Sequence, residues 1–159
     1  YLASTSPYRQ HHMFSEWVFE NEERFRTVIG EGEQVSGEWL AQAHGTRYNL
    51  EHEPFVVFDI FDETRTRYAW LDVLRKTEFA RFQVPFSVSY GPAIAIKEAM
   101  TLLGTYGQHG ALDPIEGVVW RVENRNKFDF MVKYVRPNKV DGEYLPELNG
   151  GEEYWNWKG

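Results

Sequence analysis

The sequence predicts an α+β domain built mostly on antiparallel sheet, with helices flanking it. Three observations carry that prediction. After an opening helix, the patterning runs strand, strand, helix, strand, strand, an order that fits α+β organisation. Aromatic residues make up 16% of the 159 positions, which favours sheets over a plain helical bundle. Hydrophobic residues make up 42%, enough to bury a core at this length and to exclude a disordered tail.

The elements run in order along the chain. Met13, Phe14, Trp17, Val18, Phe25 and Val28 recur at spacings of one helix face, so residues 12–28 read as a helix that Gly30 and Gly32 stop. Residues 33–43 read as a strand, with Gly37 where another backbone comes close. A polar loop over 44–53 leads through Pro54 into Phe55-Val-Val-Phe-Asp-Ile-Phe61, a strand by composition. Arg67–Leu71 reads as a further strand, Asp72–Phe82 as a short helix and Pro85–Tyr90 as extended chain. Pro92–Leu103 reads as a helix, with Pro in its first turn and Gly104 just past its end. Glycines 104, 107 and 110 form a loop around His109. Residues 116–122 and 128–135 pair as adjacent strands across the polar turn 123–127. Beyond Pro137 the chain is polar and irregular up to Tyr154-Trp-Asn-Trp157. With no repeat and no linker, residues 1–159 are expected to form a single domain.

Composition removes several classes of function. There is no cysteine, hence no disulfide framework, thiolate metal site or cysteine nucleophile. No apolar run approaches the roughly 18 residues of a membrane helix, so no membrane partner and, by default, a cytoplasmic location are expected. The first residue is Tyr1 rather than Met, and the chain is expected to be incomplete at its N-terminal side. The net charge of −7 argues against nonspecific coating of nucleic acid, but the charge is uneven. Residues 13–38 hold seven acids against two arginines, a balance of −5, whereas 121–139 hold six bases against two acids, a balance of +4. Such a strip can touch phosphates although the whole protein is acidic.

Four segments are candidates for chemistry: Ser36-Gly-Glu-Trp39, Phe55–Phe61, Glu116-Gly-Val-Val-Trp-Arg121 and Phe130-Met-Val-Lys-Tyr-Val-Arg136. Taken singly, Glu38 is a solvated carboxylate, Phe58 a packing residue, and strand alternation sets Lys133 on one side with Val135. In this order and spacing the four resemble the nucleotidyltransferase motifs of the covalent ligase and capping-enzyme superfamily, most closely those of ATP-dependent RNA ligases. The phrases Gly37-Glu-Trp-Leu-Ala-Gln-Ala-His-Gly-Thr-Arg-Tyr48 and Gly107-Gln-His-Gly110 look like phage-type members, which act in RNA repair. The likeness covers residues 36–136 and leaves 137–159 unassigned.

The resemblance implies a nucleotidyltransferase (adenylation) domain and a role for each residue. Glu38 contacts the ribose of ATP, Phe58 stacks on adenine, Glu116 serves Mg²⁺ or Mn²⁺ and the reacting phosphate, and Lys133 holds the α-phosphate. All four then converge on one adenosine phosphate. The residue types suit those tasks. A ring offers adenine a stacking face worth about 1–3 kcal/mol, a carboxylate can accept both hydroxyls of a ribose, and hard cations take oxygen ligands that bridge to phosphates. An ammonium group stabilises charge as it builds on phosphoryl oxygens. The partners implied are ATP and RNA ends bearing a 5′-phosphate and a 3′-hydroxyl, joined through lysyl-AMP and adenylated-RNA intermediates by a monomer.

The sequence departs from the family at the nucleophile. Family members attack ATP with the lysine of a Lys-x-Asp-Gly motif, upstream of the segment that here holds Glu38. This chain has no lysine before Lys76 and so no such motif upstream of Glu38, and it is not expected to self-adenylate; its Lys139-Val-Asp-Gly142 lies downstream of all four segments. Ser6 stands where the family carries an RNA-contacting arginine, which leaves Arg9 as the nearby candidate; Arg121 and Arg136 are the other candidate RNA contacts. Val135 replaces the second lysine of the last motif. The alternatives are a catalytically inactive nucleotide- or RNA-binding module, a DNA ligase or capping-type nucleotidyltransferase, and an aromatic-rich domain that binds protein or sugar. Adjacent His11 and His12 point apart and form no zinc motif. His44 and His109 read as structural, and Trp155 and Trp157 as cover for a core edge.

Overall fold

The computed structural model describes residues 6–159. Its elements are α1 (Arg9–Glu20), α2 (Glu22–Val28), β1 (Gln34–Trp39), β2 (Phe55–Phe61), α3 (Trp70–Phe79), α4 (Ile96–Leu103), β3 (Gly117–Asn124), β4 (Lys127–Val135) and α5 (Pro146–Asn149). This is the expected mixture of short antiparallel sheets and helices, with β1 paired to β2 and β3 to β4. No helix among the described residues is long and apolar enough to cross a membrane. The chain forms two compact units, Tyr1–Trp39 with Phe55–Val84, and Leu40–Pro54 with Pro85–Gly159.

The first unit is organised by rings. Trp17 of α1 is buried and packs 5.9 Å from Phe25 and 5.7 Å from Phe55, while Phe25 lies 4.8 Å from Phe82. Such tilted and edge-on pairs contribute beyond the area they bury. Beneath them Val28, Val57, Ile60 and Val73 are fully enclosed, which places α2, β2 and α3 around one apolar centre. The helix expected over 12–28 is two helices, because Asn21 interrupts it. Its backbone and side-chain amides both donate to the Trp17 carbonyl, at 3.1 and 2.8 Å, and its own carbonyl accepts the amide of Phe25. A short amide side chain that competes for backbone groups ends one helix and starts the next. Arg24 lies over the Phe82 ring and donates to the carbonyls of Ala80 and Arg81, fastening α2 to the end of α3.

Arg67–Leu71 is not a strand. Only Arg67 bridges back to Phe61, and α3 begins at Trp70, because Asp62 folds the chain sharply. The Asp62 carboxylate accepts the amides of Thr64 and Thr66 and the Thr64 hydroxyl. Pro85–Tyr90 belongs to no strand or helix, and the helix expected from Pro92 begins at Ile96. Gly104 ends it at φ 71°, the left-handed backbone at which glycine is favoured.

In the second unit β3 and β4 form a hairpin turned by Arg125 and Asn126, both at positive φ. Trp120 of β3 donates its indole N–H to the carbonyl of Ile94, tying the hairpin to the approach of α4. The final residues, expected to be irregular, hold only α5 as regular structure but are firmly fixed. Asn156 is buried; its side-chain oxygen accepts the Tyr48 amide, its side-chain nitrogen donates to the Leu40 carbonyl, and its backbone amide donates to Ala41. Ala43 donates to Tyr154, and Lys139 reaches Gly45 and Thr46. The end of the chain thereby clasps residues 40–48.

Candidate functional site

In the first unit Gly37 and Phe58 shape the β1–β2 pair. A side chain at Gly37 would put its Cβ 2.4 Å from the Val56 carbonyl oxygen and 2.9 Å from the Phe55 ring, so only glycine lets the strands and that ring close together. At this point the register shifts: Ser36 pairs with Asp59 and Gly37 with Val57, which leaves Phe58 as the extra residue of a β-bulge. Bulges re-aim side chains, and here Phe58 is 38% exposed between buried Val57 and buried Asp59. Glu38 lies one residue beyond Gly37, exposed, opposite Val56. The ring and the carboxylate assigned to adenine and ribose therefore stand on the same pair of strands.

In the second unit Gly117 has an analogous role. A Cβ there would lie 1.8 Å from the Tyr134 carbonyl oxygen, so the head of the β3–β4 pair closes only around glycine. The closure brings Glu116 and Lys133 together as an ion pair of 2.6 Å, with side chains 36% and 59% exposed. These two groups, assigned to metal and phosphate, are neighbours although 17 residues separate them in sequence. Of the other basic candidates, Arg121 is 12% exposed, paired to Glu123 at 2.7 Å and stacked on Phe128, while Arg136 donates to the Ile115 carbonyl. Arg9 opens α1; the stretch 1–5 that precedes Ser6 lies outside the described residues. His11 and His12 do not point apart: both rings reach Ser6, one to its hydroxyl and one to its carbonyl.

Two polar clusters of the second unit escape a reading of the sequence. Arg47 makes a two-pronged bond to Asp113, at 3.1 and 2.8 Å, while the Arg47 amide and the Tyr144 hydroxyl donate to the same carboxylate. Hydrogen bonds from Arg47 hold the Asp113 carboxyl down at about 2, and the carboxylate raises the guanidinium in return. Arg47 also lies over the Tyr144 ring. In the second cluster His52 Nδ1 is 2.6 Å from the Glu53 carbonyl and its Nε2 is 2.8 Å from His109 Nδ1. A carbonyl only accepts, so His52 is protonated at Nδ1. The buried Nε2 of His109 has no partner among the described residues. Burial and the neighbouring His52 both lower the pKa of His109. The partners lie 66 and 57 residues apart, and local patterning carries no signal of such pairs.

Among the described residues no three His, Cys, Asp or Glu side chains gather into a metal cage. Glu116 nonetheless fits a cation of the Mg²⁺ type. Its carboxylate is half-buried, Lys133 occupies Oε1, and such ions are commonly held by one or two carboxylates together with substrate phosphates and water.

An α+β chain with acid, glycine and lysine at the head of one strand pair, and a bulged aromatic on another, has the makings of a nucleotidyltransferase. Residues 1–135 match the RNA ligase family, and the chain belongs to that family. Comparison with curated proteins and with solved structures returned no match.

Proposed function

We propose that this chain is the adenylyltransferase part of an ATP-dependent RNA ligase acting on RNA ends with a 5′-phosphate and a 3′-hydroxyl. The observation that carries the reading is the family match over residues 1–135, which spans every motif residue named above except Arg136. Phe58 stacks on adenine and Glu38 accepts the ribose hydroxyls. Lys133 exchanges its bond to Glu116 for the α-phosphate, where its charge stabilises the phosphoryl oxygens. Glu116, relieved of the ammonium group, holds Mg²⁺ or Mn²⁺, which neutralises phosphate charge when bound. Catalysis of this type rests on positioning and electrostatics.

The sequence contains no Lys-x-Asp-Gly upstream of Glu38, where the family places its nucleophile, and Lys139-Val-Asp-Gly142 lies out of that order, so ligation from ATP requires an upstream lysine this chain does not supply. The last step needs none. The 3′-hydroxyl oxygen attacks the 5′ phosphorus of an adenylated end, the phosphoanhydride bond breaks, and AMP leaves with the electron pair. We expect the chain to bind ATP with Mg²⁺ in calorimetry and to seal a pre-adenylated RNA end to a 3′-hydroxyl. Glu38→Ala, Glu116→Ala and Lys133→Ala should each slow that sealing by about 100-fold or more, the scale of losing one charged transition-state contact. Sealing at wild-type rate in all three variants would overturn the assignment. The absence of that motif upstream of Glu38 favours one second reading, a binding module of the same fold without catalysis, which ATP binding without sealing identifies.

A further inference from the structure

We propose that Arg67 is a positioning residue for the adenine-stacking ring, acting through the buried carboxylate of Asp59; this rests on the reading of Phe58 as the adenine platform. Phe58 has no partner on β1, so the ladder that fixes its neighbours does not fix it. The next residue along β2 is anchored instead. Asp59, 5% exposed, takes the Arg67 Nε at 3.1 Å, and the same guanidinium lies 5.0 Å over the ring of Phe61. Arg67 is delivered there by the Asp62 turn, through its bridge to Phe61 and the 2.9 Å bond from the Tyr68 amide to the Ile60 carbonyl. One side chain thus grips both residues that flank Ile60 on the downstream side of the bulge.

Charge makes the grip directional. An ionised carboxylate this deeply buried is costly without a cation beside it. Removing the guanidinium takes that cation from beside Asp59, and the peptide that moves with the Asp59 side chain is the one joined to Phe58. The strand can stay folded, because its apolar contacts through Val57 and Ile60 are untouched, while the ring loses its fixed orientation.

The test compares ATP with inorganic tripolyphosphate, which carries the charges but has no base, by calorimetry on the whole chain. Phe58→Ala should weaken ATP by about 5- to 150-fold, the range of one base stack, and leave tripolyphosphate unchanged. Arg67→Met should weaken ATP by about 3- to 10-fold, a fraction of that stack, again with tripolyphosphate unchanged, and Arg67→Lys should recover part of the loss. Should Arg67→Met not fold, Arg67→Gln, which keeps a polar side chain but not the cation, should show the same selective loss. Equal weakening of both ligands overturns the inference, since damage to the fold would do that. Wild-type ATP affinity in the Arg67 variants also overturns it when Phe58→Ala binds ATP weakly. If Phe58→Ala binds ATP normally, the reading of Phe58 itself fails, and this inference goes with it.

Discussion

Replacing Asp113 by Asn keeps the shape of the side chain and removes its charge. The native carboxyl is held at about 2 against an ordinary 3.8, and each unit is worth about 1.4 kcal/mol, an upper bound of about 2.4 kcal/mol. Arg47 is 38% exposed, so solvent screens part of this, and about 1–2 kcal/mol remains. The amide cannot replace the carboxylate. Oδ2 accepts two donors and Oδ1 accepts two more, so either orientation of the Asn side chain turns an NH₂ toward donors. The sign with pH comes from the lowered pKa. The ionised form stabilises the fold above about pH 4, and that contribution disappears as pH falls toward 2. Urea denaturation followed by circular dichroism should therefore show Asp113→Asn less stable by about 1–2 kcal/mol at pH 7, with roughly half of the gap gone at pH 3. A gap that is absent at pH 7, or equal at both pH values, would refute the reasoning.

Three further outcomes are expected. Gly117→Ala places a methyl against the Tyr134 carbonyl and should cost more than about 3 kcal/mol, with amide exchange across 117–135 accelerated; wild-type stability would show that the strands close without glycine. His109 stays neutral in the fold, so the unfolded chain takes up the proton first as pH drops below about 6.5 and stability falls until the native pKa is passed. His109→Asn, which tolerates the positive φ of 62°, should flatten the stability profile between pH 7 and 5, and an unchanged profile would rule His109 out as its source. Asn156→Ala strands the Tyr48 amide and the Leu40 carbonyl and should cost about 2–4 kcal/mol in thermal or urea unfolding, whereas a cost below about 0.5 kcal/mol would mean that water replaces the clasp.

What the sequence reveals here is what local pattern can encode. The β3–β4 hairpin is legible because β-branched runs flank a polar turn, and the end of α4 because Gly104 takes a backbone that other residues avoid. The break at Asn21 is missed because the apolar spacing runs on through it, and the interruption lies in one amide side chain. The bulge at Phe58 is hidden for another reason. Phe55-Val-Val-Phe-Asp-Ile-Phe61 is apolar everywhere but Asp59, so no alternation exists in which an extra residue could show. The Glu116–Lys133 pair could be anticipated once the hairpin register is known. Arg47 with Asp113, and His52 with His109, could not, since tertiary closure of loops brings them together.

The last two dozen residues carry a practical consequence. The family likeness ends at Val135, and trimming the gene to that likeness would cut away Asn156, Tyr154, Tyr144 and Lys139. The stretch from Leu40 to Tyr48 would then present bare amides and carbonyls to solvent, and Asp113 would lose a donor. A shortened product that precipitates would report a missing buckle, not a defective enzyme.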